Sequence, residues 1–222
     1  MPQLLGRVLP LALGAAISPT IVAAAVLVLA SRTRPVARGA MFTLGTIVVL
    51  AGYTLLGLTA LGDVGGHPTA TTRAVSGGVD TALGIALLAY ALRELLLVHP
   101  AAVDPRAETR APKGEGVLTA FVLGAVMMLT NFTSLVLYIP AMKDVHRSPA
   151  SDGTKAVVIL VAFLITSLPA LVPLGARIVA PGPSAHALAR VGTFMTVHKR
   201  GVTVAVAVIF GTYLLVKGVG QL

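Results

Sequence analysis

Six apolar stretches fill most of this 222-residue chain, and each is about long enough to cross a bilayer at roughly 20 residues per helical span. Only short polar connections separate these stretches, so no room is left for a soluble domain. The pattern predicts an all-α integral membrane protein with six transmembrane helices. The predicted spans are residues 9–30, 39–61, 79–98, 117–139, 156–179 and 201–219.

The composition agrees with a membrane protein. Charged residues make up 11% of the chain and hydrophobic residues 56%, whereas soluble domains usually contain about 25% charged residues. The formal net charge of +9 includes no basic run interleaved with aromatic residues, so we expect no nucleic-acid partner. The chain has no cysteine, which excludes thiolate metal ligands and thiol redox chemistry. Its five histidines show no metal-ligand spacing, and we expect neither a metal nor another cofactor.

Basic residues in the connections predict the orientation, because Lys and Arg concentrate on the cytoplasmic side of a membrane. The first, third and fifth connections hold 11 of them and the opposite side holds six. With six spans both termini share one side, so this rule places both outside a cytoplasmic (inner) membrane. The first apolar run is long and continues into a basic loop, which favours a retained span over a cleaved signal peptide.

A polar segment at residues 99–115 divides the chain into two halves of three spans each, and we interpret it as a cytoplasmic linker. Because three is odd, the two halves must lie in opposite orientations, which is the inverted-repeat plan of many secondary transporters. We expect residues 1–98 to form the first three-helix repeat. Residues 116–222 would form the second, with an interfacial helix near residues 184–198.

Polar residues interrupt the apolar runs at one deep position in each half. Ser18, Pro19 and Thr20 interrupt the first span, and Thr130 and Asn131 interrupt the fourth. Proline removes a backbone donor, and an amide in hydrocarbon needs a partner, so both helices are expected to kink or break. Broken helices at corresponding points of two repeats indicate a transport site. A structural kink held by an interhelical hydrogen bond is an equally open interpretation.

Further candidates lie elsewhere in the chain. Ser167, Pro169 and Pro173 are expected to bend the fifth span and to free backbone groups for a substrate. Asp80, about one turn inside the third predicted span, is either a transport residue or an interfacial carboxylate that caps the helix start. Basic residues that would attract an anionic headgroup are Arg32, Arg34, Arg38, Arg177, Arg190, Lys199 and Arg200.

Several segments, in this order and spacing, resemble the lysine exporter superfamily, and in particular its actinobacterial GAP branch of peptidoglycolipid- and sulfolipid-addressing proteins. The matching segments are LALGAAISP at 11–19, GAMFTLG at 39–45, Asn131, the proline-containing fifth span and VIFG at 208–211. The resemblance covers nearly all of the chain. It departs from the family pattern at Phe132, where proline is usual, and at Phe194, where tryptophan is frequent.

The resemblance implies a cytoplasmic-membrane transporter, or a transport accessory, that exports a lipid or glycolipid to the cell envelope. Its partners would be membrane lipids or glycolipids, a larger lipid exporter, or a second copy of the chain in a homodimer. Two alternatives stay open: a proton-coupled exporter of a small solute such as an amino acid, for which Asp80 would be essential, and a non-transporting scaffold. No nucleophile and base occur at a recognisable spacing, and no nucleotide-binding loop is present, so we do not expect an enzyme.

Overall fold

A computed structural model describes residues 2–31, 33–59, 70–96 and 116–220. Within these ranges the chain forms eight α-helices and no strand, which confirms the all-α prediction. Arg32 and the predicted linker at 99–115 lie outside the described residues. The helices are α1 (Pro2–Ala16), α2 (Pro19–Leu29), α3 (Pro35–Thr59), α4 (Ala70–Leu96), α5 (Val117–Leu129), α6 (Phe132–Arg147), α7 (Asp152–Val179) and α8 (Pro183–Val219).

The helices α3 and α7, and most of α8, are each long and apolar enough to cross a membrane. Two helix pairs also qualify when each is taken as one bent span: α1 with α2, bent by 51°, and α5 with α6, bent by 70°. The chain is therefore a multi-pass membrane protein with three to five candidate spans. The third predicted span lies on α4, which is not among these candidates. Six spans are not confirmed.

Both interruptions predicted from the sequence are present as helix breaks. Pro19 opens α2, a position where a missing N–H costs no intrahelical hydrogen bond. The second break forms without a proline, since Asn131 caps the start of α6 and Phe132 takes the first helical position. The departure of Phe132 from the family pattern therefore does not remove the break.

The helices α4 and α8 pack antiparallel with their backbones in close contact. A Cβ atom on Gly84 would lie 2.7 Å from the backbone nitrogen of Leu215, and one on Gly218 would lie 2.7 Å from the carbonyl oxygen of Gly77. From the first contact to the second, the residue number falls on α4 and rises on α8, so the two helices are antiparallel. Small residues allow this approach, as in other membrane helix pairs.

The helix α7 runs unbroken from Asp152 to Val179, although Pro169 and Pro173 lie inside it. The Thr43 hydroxyl on α3 donates a hydrogen bond to the carbonyl oxygen of Ala170, 3.4 Å away, in this stretch. The two prolines thus leave α7 as one helix.

The stretch predicted as an interfacial helix near residues 184–198 is the first part of α8, which continues for 37 residues without a break. Val191, Phe194 and Val197 in this stretch are exposed. Its location in a membrane interface stays a prediction.

Candidate functional site

The two helix breaks touch each other through their capping side chains. Asn131 Nδ2 donates a hydrogen bond to Ser18 Oγ at 2.8 Å. Ser18 Oγ also accepts from the backbone N–H of Ile21 at 3.3 Å, and Asn131 Oδ1 accepts from that of Ser134 at 3.3 Å. Each residue is therefore the N-cap of its own half-helix, and together they join the two halves of the chain.

The carbonyl groups at the end of α1 receive hydroxyl donors from the second half of the chain. Ser134 Oγ donates to the carbonyl oxygen of Ala15 at 2.7 Å, and Thr166 Oγ1 donates to that of Ala12 at 3.4 Å. The first bond satisfies a carbonyl group in the last turn of α1, which has no intrahelical partner, and the second adds a donor to a carbonyl group inside the helix.

The end of α5 is satisfied in a similar way. Thr130 Oγ1 donates to the carbonyl oxygen of Val126 at 2.8 Å, and Tyr53 Oη on α3 donates to that of Met128 at 3.1 Å. Hydroxyl groups thus stabilise both breaks, which explains how they persist at membrane depth.

A cavity of about 80 Å³ lies beside the joined breaks. Its wall combines hydroxyl groups, one amide, one phenol and one side chain of each charge. At the rim, Ile17 and Phe132 are exposed, and the Phe132 ring packs on Tyr90 with centroids 5.4 Å apart. The polar lining residues are Ser18, Thr20, Tyr90, Glu94, Thr130, Asn131, Thr133, Lys199 and Thr203.

The cavity is smaller than most ligand sites, which measure about 300–1,000 Å³. It has space for a few water molecules at about 30 Å³ each. A whole lipid therefore does not fit in this cavity.

The structure gathers five of the predicted site residues around this cavity: Ser18, Pro19, Thr20, Thr130 and Asn131. The interhelical hydrogen bond of the second interpretation is present, and a transport site at the breaks stays a prediction. The three residues predicted on α7 do not line this cavity.

Ser167 contributes instead to a separate space of about 10 Å³, which it shares with Thr46 and Thr166. Its hydroxyl donates to the carbonyl oxygen of Phe163 at 2.8 Å. Pro169 and Pro173 are buried on α7 and line neither space. The larger cavity is thus lined by residues of the two breaks and not by the three predicted residues of α7.

Asp80 does not cap a helix start, because α4 begins ten residues earlier at Ala70. It is fully buried and forms an ion pair with Lys143 on α6 and with Lys217 on α8, the latter at 2.9 Å. Lys217 also donates to the carboxylate of Asp144 at 2.7 Å. The orientation predicted from the sequence includes Lys143 and Lys217 among the six basic residues on the opposite side of the membrane, whereas the structure holds both in ion pairs.

The sequence carries a signal for this group. Lys217 falls inside the sixth predicted span, and ionisable residues inside spans mark functional sites by default. Lys143 and Asp144 follow the end of the fourth predicted span at residue 139, whereas α6 continues to Arg147.

The predicted headgroup-attracting residues separate into different environments. Lys199 lines the cavity, Arg34 and Arg190 are exposed, and Arg32 lies outside the described residues. Arg38 is buried on α3 rather than exposed in a loop.

Two of these arginines bind backbone carbonyl groups. Arg177 donates to the carbonyl oxygen of Pro181. Arg200 donates to those of Glu94 at 3.1 Å and Leu95 at 2.8 Å, and so it ties α8 to the C-terminal end of α4.

Comparison with known proteins gives one match. The family model described as "Sap, sulfolipid-1-addressing protein" matches residues 8–220, which is nearly the whole chain. No curated protein and no solved structure matches significantly.

Proposed function

Because this chain belongs to the sulfolipid-1-addressing protein family, we propose that it exports an envelope lipid or glycolipid across the cytoplasmic membrane, as a transporter or as an accessory to a larger lipid exporter. The observation that carries this proposal is the cavity beside the Asn131–Ser18 hydrogen bond. Both helix breaks converge there, and broken helices are a recurrent way of building substrate sites in membrane transporters.

The rim of the cavity supports a lipid rather than a free solute as the substrate. Ile17 and Phe132 are exposed apolar side chains next to the polar wall. A lipid headgroup would occupy the polar cavity while its acyl chains stay outside in the bilayer. This arrangement removes the need for a cavity large enough to hold the whole molecule.

The cavity wall favours a headgroup that both donates and accepts hydrogen bonds. The Asn131 amide and the hydroxyls of Thr20 and Thr203 offer both kinds of partner, as the hydroxyls of a sugar require. The converging N-terminal ends of α2 and α6 also suit an anionic group such as a sulfate, while the opposite charges of Lys199 and Glu94 balance each other in the wall. We therefore place a glycolipid, neutral or sulfated, ahead of other lipids.

We further propose the inverted-repeat arrangement, with membership of the lysine exporter superfamily. Ser18 and Asn131 take equivalent capping roles in their halves. Tyr53 from α3 supports the end of α5, and Thr166 from α7 supports the end of α1. In an inverted repeat α3 corresponds to α7, so the two supports are equivalent.

This function assigns no chemical step, metal or cofactor to the chain. Its proposed partners are membrane lipids, a larger lipid exporter and a second copy of the chain. Nucleic acid has no part in it.

A complementation experiment tests this function in cells. A strain from which the gene is deleted would receive the wild type, Asn131→Ala, Ser18→Ala or the control Thr54→Val. The control removes a 3.1 Å hydrogen bond between α3 and Tyr138 of α6, away from the cavity. Mass spectrometry would compare surface-extractable lipid with total cell lipid.

We expect one envelope lipid to be depleted severalfold at the surface of the deletion strain and of both cavity variants. Wild type and Thr54→Val should restore it. Equal surface lipid in the deletion strain and in every complemented strain, with the complementing proteins present at equal levels, would remove the proposed function.

A further inference from the structure

Four buried or nearly buried charges from three helices form a neutral group that the lipid cavity does not use. We call Asp80, Lys143, Asp144 and Lys217 the charged network. Asp80 pairs with both lysines, and Lys217 Nζ lies 2.9 and 2.7 Å from the two carboxylate oxygens of Asp144. Lys143 Nζ also donates to the carbonyl oxygen of Ser76 at 3.1 Å. Such charges contribute little net stability compared with apolar packing, so stability alone does not account for them.

The charged network and the cavity lie at opposite ends of the same three helices. Glu94 on α4, Thr133 on α6 and Thr203 on α8 line the cavity. The network residues lie 10 to 14 positions away along each helix. At a rise of 1.5 Å per residue this separation is about 15 to 21 Å.

The helix α6 borders the α4–α8 pair along a seam with few contacts, whereas α4 and α8 pack closely along their lengths. At the cavity end of this seam, Phe132 on α6 meets Tyr90 on α4. At the other end, Lys143 and Asp144 on α6 meet the charges of the pair. Moving the C-terminal end of α6 away from α4 and α8 therefore breaks few apolar contacts with these two helices.

The seam divides the charged network into two neutral halves. Asp80 and Lys217 lie on the α4–α8 pair and are 2.9 Å apart, so they can stay paired when α6 moves. Lys143 and Asp144 leave together on α6 as one base and one acid. Opening the seam therefore leaves no net charge on either side, which lowers the free-energy cost of separating the two halves of the charged network.

We propose that the charged network is a gate, which closes this seam at the end away from the cavity and opens when α6 moves off the α4–α8 pair. An open seam would give the headgroup a route from the cavity to this end of the three helices, so this gate rests on the proposed function. In the structure the ion pairs Lys143–Asp80 and Lys217–Asp144 join α6 to the α4–α8 pair at this end of the seam.

Cysteine accessibility tests the gate directly, because the natural chain has no cysteine. Thr203→Cys would place one thiol in the cavity wall, and a membrane-impermeant sulfonated maleimide would be added to either face of oriented vesicles. The gate variant Lys143→Gln/Asp144→Asn removes both pairs that cross the seam and leaves Asp80 paired with Lys217. The control variant is Thr54→Val, which removes an α3–α6 hydrogen bond outside the seam.

We expect labelling from the network face to rise about tenfold or more in the gate variant, which corresponds to about 1.4 kcal/mol lost from the closed state. Labelling in the control variant should equal that of Thr203→Cys alone. If the gate variant does not fold, Asp80→Asn/Lys217→Gln removes the same two cross-seam pairs from the other side. Unchanged labelling from the network face in a folded gate variant would overturn the gate.

Lipid retention on the wild type and on the gate variant with Thr203 intact separates this outcome from failure of the proposed function. Unchanged accessibility with lipid retained would remove the gate and leave the lipid site in place. Absence of a retained lipid from every protein, the wild type included, would remove the proposed function, whereas the labelling would still report whether the charged network closes the seam.

Discussion

At the scale of single residues, Asn131 forms two hydrogen bonds whose contributions to stability can be measured separately. Its Oδ1 atom caps α6 by accepting from the backbone N–H of Ser134, and its Nδ2 atom donates to Ser18 on the other half of the chain. An N-cap contributes about 1 kcal/mol, and an interhelical hydrogen bond in a membrane protein about 0.6 kcal/mol. A shorter side chain can keep the first contribution while losing the second.

Stability measurements on two variants separate these contributions. Asn131→Ala should lower the free energy of unfolding by about 1.6 kcal/mol, because it loses both the cap and the interhelical bond. Asn131→Ser should lose only about 0.6 kcal/mol, since serine is a good N-cap but is too short to reach Ser18. Thermal unfolding in detergent, followed by circular dichroism at the helical band, measures both. Equal destabilisation by the two variants would contradict the capping role.

At the scale of elements, close backbone contacts between glycine-bearing helices fix the frame around the breaks. A Cβ atom on Gly124 of α5 would lie 2.0 Å from the carbonyl oxygen of Phe42 on α3. A Cβ atom on Gly45 of α3 would in turn lie 2.2 Å from that of Phe121 on α5. Neither neighbour is a flexible side chain that can move aside, so the α3–α5 pair tolerates no larger residue there.

Alanine substitution at two glycines tests this packing. Gly124→Ala should destabilise the protein by about 1–3 kcal/mol, because overpacking forces the two backbones apart. Gly52→Ala on α3 is the matched control, since an added Cβ there meets nothing within 4 Å, and alanine should stabilise the helix by up to about 1 kcal/mol. Thermal unfolding compares the pair. A Gly124→Ala protein as stable as the control would show that α3 and α5 are not in close contact.

The sequence predicted local features well and long-range pairing poorly. Pro19 and Asn131 marked both helix breaks because their effects on a helix act within one turn. The sequence did not reveal that the two breaks touch, since that depends on how whole helices pack.

The charged network escaped prediction for the same reason. Asp80, Lys143 and Lys217 are far apart in the chain, and each looked like an isolated charge near a span end. Only the packing of α4, α6 and α8 brings them together.

At the scale of the whole molecule, the buried lysines sharpen the predicted orientation. Lys143 and Lys217 are held in the charged network and Arg38 is buried on α3, so none of the three belongs among the loop cations, and the predicted extracytoplasmic side keeps four basic residues against ten on the other. A larger imbalance strengthens the predicted extracytoplasmic placement of both termini. In that orientation the Glu94 and Lys199 end of the cavity faces the cytoplasm and the charged network faces the envelope.

The most direct test of a lipid site at the joined breaks is mass spectrometry of lipids that stay bound after mild detergent extraction. Wild type, Asn131→Ala, Ser18→Ala and the control Thr54→Val would be compared at equal protein amounts. We predict one envelope lipid or glycolipid enriched over bulk phospholipid in wild type and Thr54→Val, and lost severalfold from both cavity variants. Bulk phospholipid alone, equal in all four samples, would contradict a lipid site in this cavity.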